Sequence, residues 1–579
     1  MPARSGGSVQ RGQRTFVHAF APIVLSLLVV GFTSATSAAE YRCMGAAVTK
    51  SGDAGKDRLF GTAGRDVISG AGGDDIIVGR GGNDLICAGG GADLVFGGAK
   101  NDRIKGGGGF DVISFYTPSA RSGVIVNLAA RRSQGEGVDR WTSVEGAAGS
   151  AGADVMKGTR KADLLLGNPG NDVLRGSAGA DNLLGLEGDD RYEGGRGNDL
   201  GSFYFYDGER KVTADLATGR ANGEGHDTLE SIENLEAGEN DGTYSFLDFV
   251  LRGDNRPNIL LGGPGEDELW GEGGNDLFFG GGETDFMIGG DGDDYGRSGG
   301  NRIAEYWEGT HFYGGNGDDV FVGREDGDFA AGGAGKDRLY GRGHYDRLAG
   351  NEGHDLIVGG PFGDALGFMH TTATYDPGND RYFGNGGHDE IDGDPGDDFI
   401  SGGPGSDDLQ GGAGEDLVTF RDSSHRVTVD LIGAWARGQG KDEFTDYDVE
   451  NVEGSSFGDR ITGHAGPNTL LGRSGDDTIG GGDENDFLDG GGGFDALNGN
   501  FGIDTCENGE EEEDCELPIM GPISRKFGGR TGSGDLQYRH PVRGVPEADF
   551  RLQVVKLAGL DVLTKGLAHL EPFESRSRD

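Results

Sequence analysis

The chain has little of what most protein chemistry relies on. Only 4 cysteines and 16 prolines occur among 579 residues, and no C-x-x-C pair is present, which removes dithiol redox chemistry. Cations are scarce as well: 51 Lys and Arg stand against 99 Asp and Glu, a net charge of -48. Such a balance argues against nucleic acid and anionic membrane surfaces as partners. Beyond residue 39 no run is apolar enough to span a bilayer, so the mature chain is expected to have no membrane span. Enzyme signatures are missing too. There is no H-E-x-x-H and no G-x-x-x-x-G-K-[ST], and the Gly-Lys pairs at Lys56, Lys336 and Lys441 are each followed by Asp. His344, His354 and His388 stand at turn positions with no partner motif, and no active site is expected.

What is abundant is glycine, 119 residues, without the every-third spacing of a collagen. The first 39 residues read as an export signal: Arg4, Arg11 and Arg14 precede an apolar stretch from Phe20 to Phe32, and Ser37-Ala38-Ala39 offers a cleavage site before Glu40. The protein is therefore expected to be secreted and to work outside the cell. Removing the signal takes three arginines with it and leaves a charge of -51.

From Gly52 the sequence repeats every nine residues: GDAGKDRLF, GTAGRDVIS, GAGGDDIIV, GRGGNDLIC and onward. Six blocks hold 35 nonapeptides, at 52–114, 149–202, 253–297, 314–367, 375–419 and 454–507. The sixth position is Asp in all but Asn258 and Asn468. In the first two blocks these are Asp57, Asp66, Asp75, Asp84, Asp93, Asp102 and Asp111, then Asp154, Asp163, Asp172, Asp181, Asp190 and Asp199. The third and fourth carry Asp267, Asp276, Asp285, Asp294, Asp319, Asp328, Asp337, Asp346, Asp355 and Asp364. The last two carry Asp380, Asp389, Asp398, Asp407, Asp416, Asp459, Asp477, Asp486, Asp495 and Asp504.

Glycines at positions one, two and four permit a tight turn with exposed carbonyl oxygens. The last three residues form a short strand whose middle side chain points into a core, and two units return the chain to its starting side. Carboxylates beside carbonyls make an all-oxygen environment that suits Ca²⁺, whereas zinc or copper would want the His or Cys that the repeat lacks.

This pattern resembles the RTX (repeats-in-toxin, hemolysin-type) family, G-G-x-G-x-D-x-U-x. The resemblance implies an all-β fold, a right-handed parallel β-roll, with many Ca²⁺ ions held between stacked turns by the sixth-position Asp and the turn carbonyls. Not every copy matches the pattern equally: Lys100 and Phe362 replace the fourth glycine in two of them, and GREDGDFAA has Asp326 there with Ala330 at the inward position. Position five is often acidic or amidic, as at Asp74, Asn83, Asn171, Asp189 and Asp397, either solvating the edge or adding ligands.

Between blocks, 122–128, 211–216 and 426–431 are alternating strands followed by SVEG, SIENL and DVENVEG, which read as wider coils of the same solenoid. Stretches 298–313 and 368–375 read as side loops; Trp307, Phe312 and Tyr313 are assigned to packing rather than to a ligand platform. The divisions are then a signal at 1–39, block units at 40–148, 149–252, 253–313, 314–374, 375–453 and 454–516, and a non-repeat tail at 517–579, either disordered or one helix. Cys43 is paired with Cys87 and Cys506 with Cys515, as caps at the two ends of the array, the alternative being free thiols or intermolecular bridges. The expected function is calcium binding that drives folding, in a structural or adhesive role. The alternatives are a calcium-folded scaffold of a secreted enzyme or toxin, and an adhesin binding a cell-surface glycan or protein.

Overall fold

The computed structural model describes residues 42–515, apart from 118–121, 136, 206–211, 224, 240–247, 300–308, 368–377 and 446–447. The expected signal at 1–39, the tail at 517–579 and Trp307 lie outside the described residues.

Each nonapeptide contributes a strand at its last three positions, as at Arg58–Phe60, Val67–Ser69 and Ile76–Val78. In these repeats the strand stops at the glycine that follows, which lacks a side chain to stabilise a pleated surface, whereas in others, such as Leu85–Gly90 and Arg103–Gly108, it runs on into the glycines. Successive strands go to opposite sheets. Arg58–Phe60 pairs in parallel with Ile76–Val78, Leu59 beside Ile77, while Val67–Ser69 pairs with Leu85–Gly90, Ile68 beside Ile86. One coil is thus two repeats. One sheet has 22 strands and the other 29, and no helix occurs among the described residues. This is the parallel β-roll expected from the repeat.

The core lies between the sheets. Its column is the eighth position of each repeat: Ile68, Ile77, Ile86, Val95, Ile104 and Ile113 are each at most 3% exposed, and the row continues through Leu470, Ile479, Leu488 and Leu497. Each coil of 18 residues therefore inserts two such side chains, about 1.5–3 kcal/mol apiece. Backbone bonds lock the register: the first-position Gly61 N–H donates to Val78 O at 2.7 Å, and the Ile76 N–H donates to Asp57 O at 2.9 Å.

The three insertions are not the wider coils that their sequence suggested. Ile125–Asn127, Arg132–Gln134 and Arg140–Thr142 form an antiparallel meander within the larger sheet. Its last strand lies parallel to Arg103–Gly108 of the coil before, and its first parallel to Val155–Lys157 of the coil after. The same arrangement recurs at Val212–Asp215, Arg220–Asn222 and His226–Glu230, and at Thr428–Asp430, Trp435–Arg437 and Lys441–Phe444. The hairpins reverse through left-handed residues, Arg131 (φ 56°), Gly219 (φ 64°) and Ala434 (φ 55°). Alternation buries Val124, Val126 and Leu128 in the first meander and Val427, Val429 and Leu431 in the third.

Phe312 is buried in the core, and Tyr313 lies on the outer face between Phe286 and Phe329, with ring centroids 5.4 and 5.5 Å away. Cys43 is bonded to Cys87 across 44 residues and Cys506 to Cys515 across 9, so both terminal pairings hold.

Candidate metal centre

All 33 sixth-position aspartates are described, and every one except the half-buried Asp57 is buried. The turn places them there because the residue that follows starts a strand, so the carboxylate folds back over the glycine of its own repeat. Within the blocks Oδ1 accepts the backbone N–H of the Asp one coil earlier, and at certain aspartates after an insertion or side loop it accepts another residue instead, Val124 at Asp154, Phe249 at Asp267, Thr310 at Asp328 and Val427 at Asp459. The Asp57 N–H donates to Asp75 at 2.8 Å, Asp66 to Asp84 at 2.7 Å, Asp84 to Asp102 at 2.8 Å and Asp477 to Asp495 at 2.8 Å. The ladder runs across the side loops, where Asp294 donates to Asp319 and Asp355 to Asp380, both at 2.7 Å over a 25-residue step.

The second carboxylate oxygen separates the turns into two kinds. In 25 repeats, position two has positive φ, as at Ala71 (80°), Arg80 (71°), Gly98 (93°) and Asn168 (69°). Its amide then points away from the carboxylate. In these open turns the Oδ2 atoms of Asp75, Asp84, Asp93, Asp276, Asp346 and Asp398, among others, are buried with no hydrogen-bond partner. In the other repeats whose position two is described, it turns its amide inward. Oδ2 accepts the Asp53 N–H at Asp57 (2.7 Å), Thr62 N–H at Asp66 (2.6 Å), Ser150 at Asp154 (2.6 Å) and Thr159 at Asp163 (2.5 Å). It likewise accepts Arg324 at Asp328, Gly360 at Asp364 and Ser455 at Asp459. Two of the irregular copies noted in the sequence, at Asp328 and Asp364, are thus closed, while the Lys100 copy at Asp102 is open.

Open turns also present a carbonyl. A Cβ built on Gly70 would run into both Asp75 Oδ2 and the Ala88 carbonyl oxygen of the next coil, and one on Gly271 into Asp276 Oδ2 and the Gly289 carbonyl. The first-position glycine therefore keeps open a cradle lined by an orphaned carboxylate oxygen and a main-chain oxygen. Among the described residues no three His, Cys, Asp or Glu side chains converge as a metal cluster, so a cation here relies on main-chain oxygens beside each carboxylate. A hard oxygen-seeking cation fits this donor set, and Ca²⁺, which accepts several oxygens in flexible geometry, fits best. It would be held by the Asp and the turn carbonyls, and it would supply the positive charge that the buried carboxylates lack.

That charge is needed. Burial pushes the carboxyls of Asp285, Asp346 and Asp398 up to about 9, and those of Asp172, Asp294 and Asp337 to about 8, with the aspartates of neighbouring coils adding to the shift. A stack of such groups resists ionising together unless cations lie among them.

The sequence reading missed the carboxylates that carry the ladder through the insertions. The Asp102 N–H donates to Asp139 (2.8 Å), Asp190 to Asp227 (2.9 Å) and Asp407 to Asp442 (3.3 Å). On the other edge Asp111 donates to Glu145, Asp199 to Glu233, Asp416 to Glu450 and Asp495 to Glu510. The signal was present: each Asp closes a G-x-G-x-D, positions two to six of the nonapeptide, and three of the glutamates end S-V-E, S-I-E and D-V-E. Position five proves to be an outer rung. Asp74 Oδ1 accepts Ala92 N–H at 2.8 Å, Asn83 accepts Asn101 at 3.1 Å, and Asp397 accepts Glu415 at 3.2 Å.

One buried acid lies apart from the turns. Glu236 Oε2 lies 2.8 Å from Ser202 Oγ, the carboxyl is also hydrogen-bonded to the Tyr204 hydroxyl, and burial raises it to about 7.

A model of the RTX calcium-binding nonapeptide repeat matches residues 51–86, 88–115, 148–183, 166–200, 252–287, 261–295, 313–343, 331–366, 375–409, 383–418, 453–488 and 481–506, together more than half of the chain. No curated protein matches it.

Proposed function

Because the chain belongs to the RTX calcium-binding nonapeptide repeat family, we propose that it is a secreted protein whose folding is driven by Ca²⁺ held between stacked turns, serving a structural or adhesive role outside the cell. The sixth-position aspartates of the open turns, with the first-position carbonyls of the next coil, are the ligands in this reading. The observation that carries it is the orphaned Oδ2 beside a main-chain oxygen, as at Asp75 and Ala88, repeated coil after coil. Secretion is supported by the basic and apolar leader and by two disulfides, which persist in oxidising compartments. Among the described residues no helix is long and apolar enough to cross a membrane. We assign no catalytic step to the array, and a glycan or protein ligand on the cell surface belongs to the adhesive reading.

Without cations the coils place only two side chains per 18 residues in the column between the sheets, against the conformational entropy of a glycine-rich chain. Binding confined to the folded state adds to folding free energy, so calcium and structure should appear together. Circular dichroism of the chain in chelator, followed by titration with Ca²⁺ and with Mg²⁺, tests this. The expected outcome is a β spectrum that appears with Ca²⁺ at about 10⁻⁴–10⁻³ M. A β spectrum indifferent to chelator, or equal folding with Mg²⁺, overturns it.

A further inference from the structure

The closed turns differ from the open ones in the groups that a cation would meet. At Asp66 both the Thr62 N–H (2.6 Å) and Thr62 Oγ1 (2.9 Å) bond Oδ2, and at Asp163 Thr159 Oγ1 bonds it at 2.8 Å. At Asp459 the Ser455 amide holds Oδ2 while Ser455 Oγ bonds Oδ1 at 2.8 Å. The inward amide presents the positive end of a dipole where an open turn presents an unpartnered oxygen. We propose that these closed turns take no cation and form metal-free coils set mainly at the starts of the blocks, on which the cation-binding coils stack.

The two asparagines carry the inference independently. Asn258 and Asn468 are the sole exceptions to Asp among the 35 repeats, and both fall in closed turns. Their Oδ1 atoms accept the Asp254 and His464 N–H groups at 2.7 and 2.8 Å. Their Nδ2 atoms donate to the Glu233 and Glu450 carbonyls, both at 2.7 Å. A neutral amide thus completes the turn with every polar atom satisfied, and one of its hydrogens occupies a main-chain oxygen. A negative charge is dispensable there. Position along the chain agrees: closed turns open the first, second, third and sixth blocks, the last three of these directly after the insertions. A coil with no regular turn before it is completed by its own amide and hydroxyl.

The inference rests on the calcium reading above. Equilibrium dialysis of the full chain with ⁴⁵Ca²⁺ counts the bound ions. An Asp66→Asn, Asp163→Asn, Asp459→Asn triple variant should bind as many ions as the wild type, whereas Asp84→Asn, Asp172→Asn, Asp477→Asn should lose three or more. The reverse pair, Asn258→Asp with Asn468→Asp, restores the repeat consensus and should gain none; this arm decides the matter if a triple variant fails to fold. Equal losses in the two triples, or two ions gained by the reverse pair, overturn the inference while leaving calcium binding intact. A wild type that binds no Ca²⁺ overturns the calcium reading itself.

Discussion

Replacing Glu236 by glutamine should stabilise its coil at alkaline pH and change little in acid. Ser202 Oγ lies 2.8 Å from both Asn182 Oδ1 and Glu236 Oε2, yet a hydroxyl has one proton to give. A protonated Glu236 resolves the conflict by donating to Ser202 while Ser202 donates to Asn182, and burial favours that neutral form. Its carboxyl is raised from the ordinary 4.5 to about 7. The folded state therefore keeps a proton that the unfolded chain releases between about pH 4.5 and 7, and stability falls across that window as pH rises. The gap corresponds to ~3 kcal/mol, fully lost above about pH 7. Glutamine cannot ionise, so the variant should escape most of the loss. Amide hydrogen exchange in strands Leu200–Phe205 and Asn234–Glu239, with saturating Ca²⁺ and correction for intrinsic rates, reads the local opening energy at pH 5 and pH 8. Wild type and variant should differ by about 2–3 kcal/mol more at pH 8 than at pH 5. A difference that is the same at both pH values would refute the reasoning.

Asp84→Ala should cost more calcium affinity than Asp57→Ala, because Asp84 leaves an open Oδ2 and Asp57 a closed one; calorimetric titration compares them, and equal losses count against the distinction. Breaking the Cys43–Cys87 bridge by double serine substitution should destabilise the first coils by up to about 4 kcal/mol for a loop of this length, read as faster exchange at Val67–Ser69 and Leu85–Gly90. Phe278→Ala removes a fully buried ring from the core column and should cost about 3–5 kcal/mol locally, visible in the same experiment as loss of protection in Ile259–Gly263 and Leu277–Gly281.

Much of this was legible because the repeat states its own geometry. Ile68, Ile77 and Ile86 announce the core by recurring at one position, and the aspartates two residues before them announce the turn. The meanders were not legible, because Ile125–Asn127 reads as one more alternating strand and only its neighbours decide that it pairs antiparallel with Arg132–Gln134. Glu145 and Glu233 escaped notice because they reach the ladder from outside the nine-residue frame. Open and closed turns are only partly readable: Thr62, Ser150 and Ser455 close theirs, but Ser177 (φ 86°) and Asp394 (φ 63°) adopt the left-handed form with similar side chains. The choice belongs to backbone stacking as well as to residue type.

The carboxylate ladder has a direction. The Asp amides find their acceptors on the coil that follows in sequence, as from Asp57 to Asp75 and from Asp477 to Asp495, and the rung from Asp495 ends on Glu510 beside the Cys506–Cys515 bridge. The two ends of the array are therefore unequal under truncation. Removing a coil at the amino end leaves behind a carboxylate oxygen that water or a cation readily serves. Removing one at the carboxyl end strands a backbone donor, which water can serve but a bound cation cannot. The acidic loop after the final repeat thus acts as a terminator, and fragments should tolerate loss from the front far better than loss from the back.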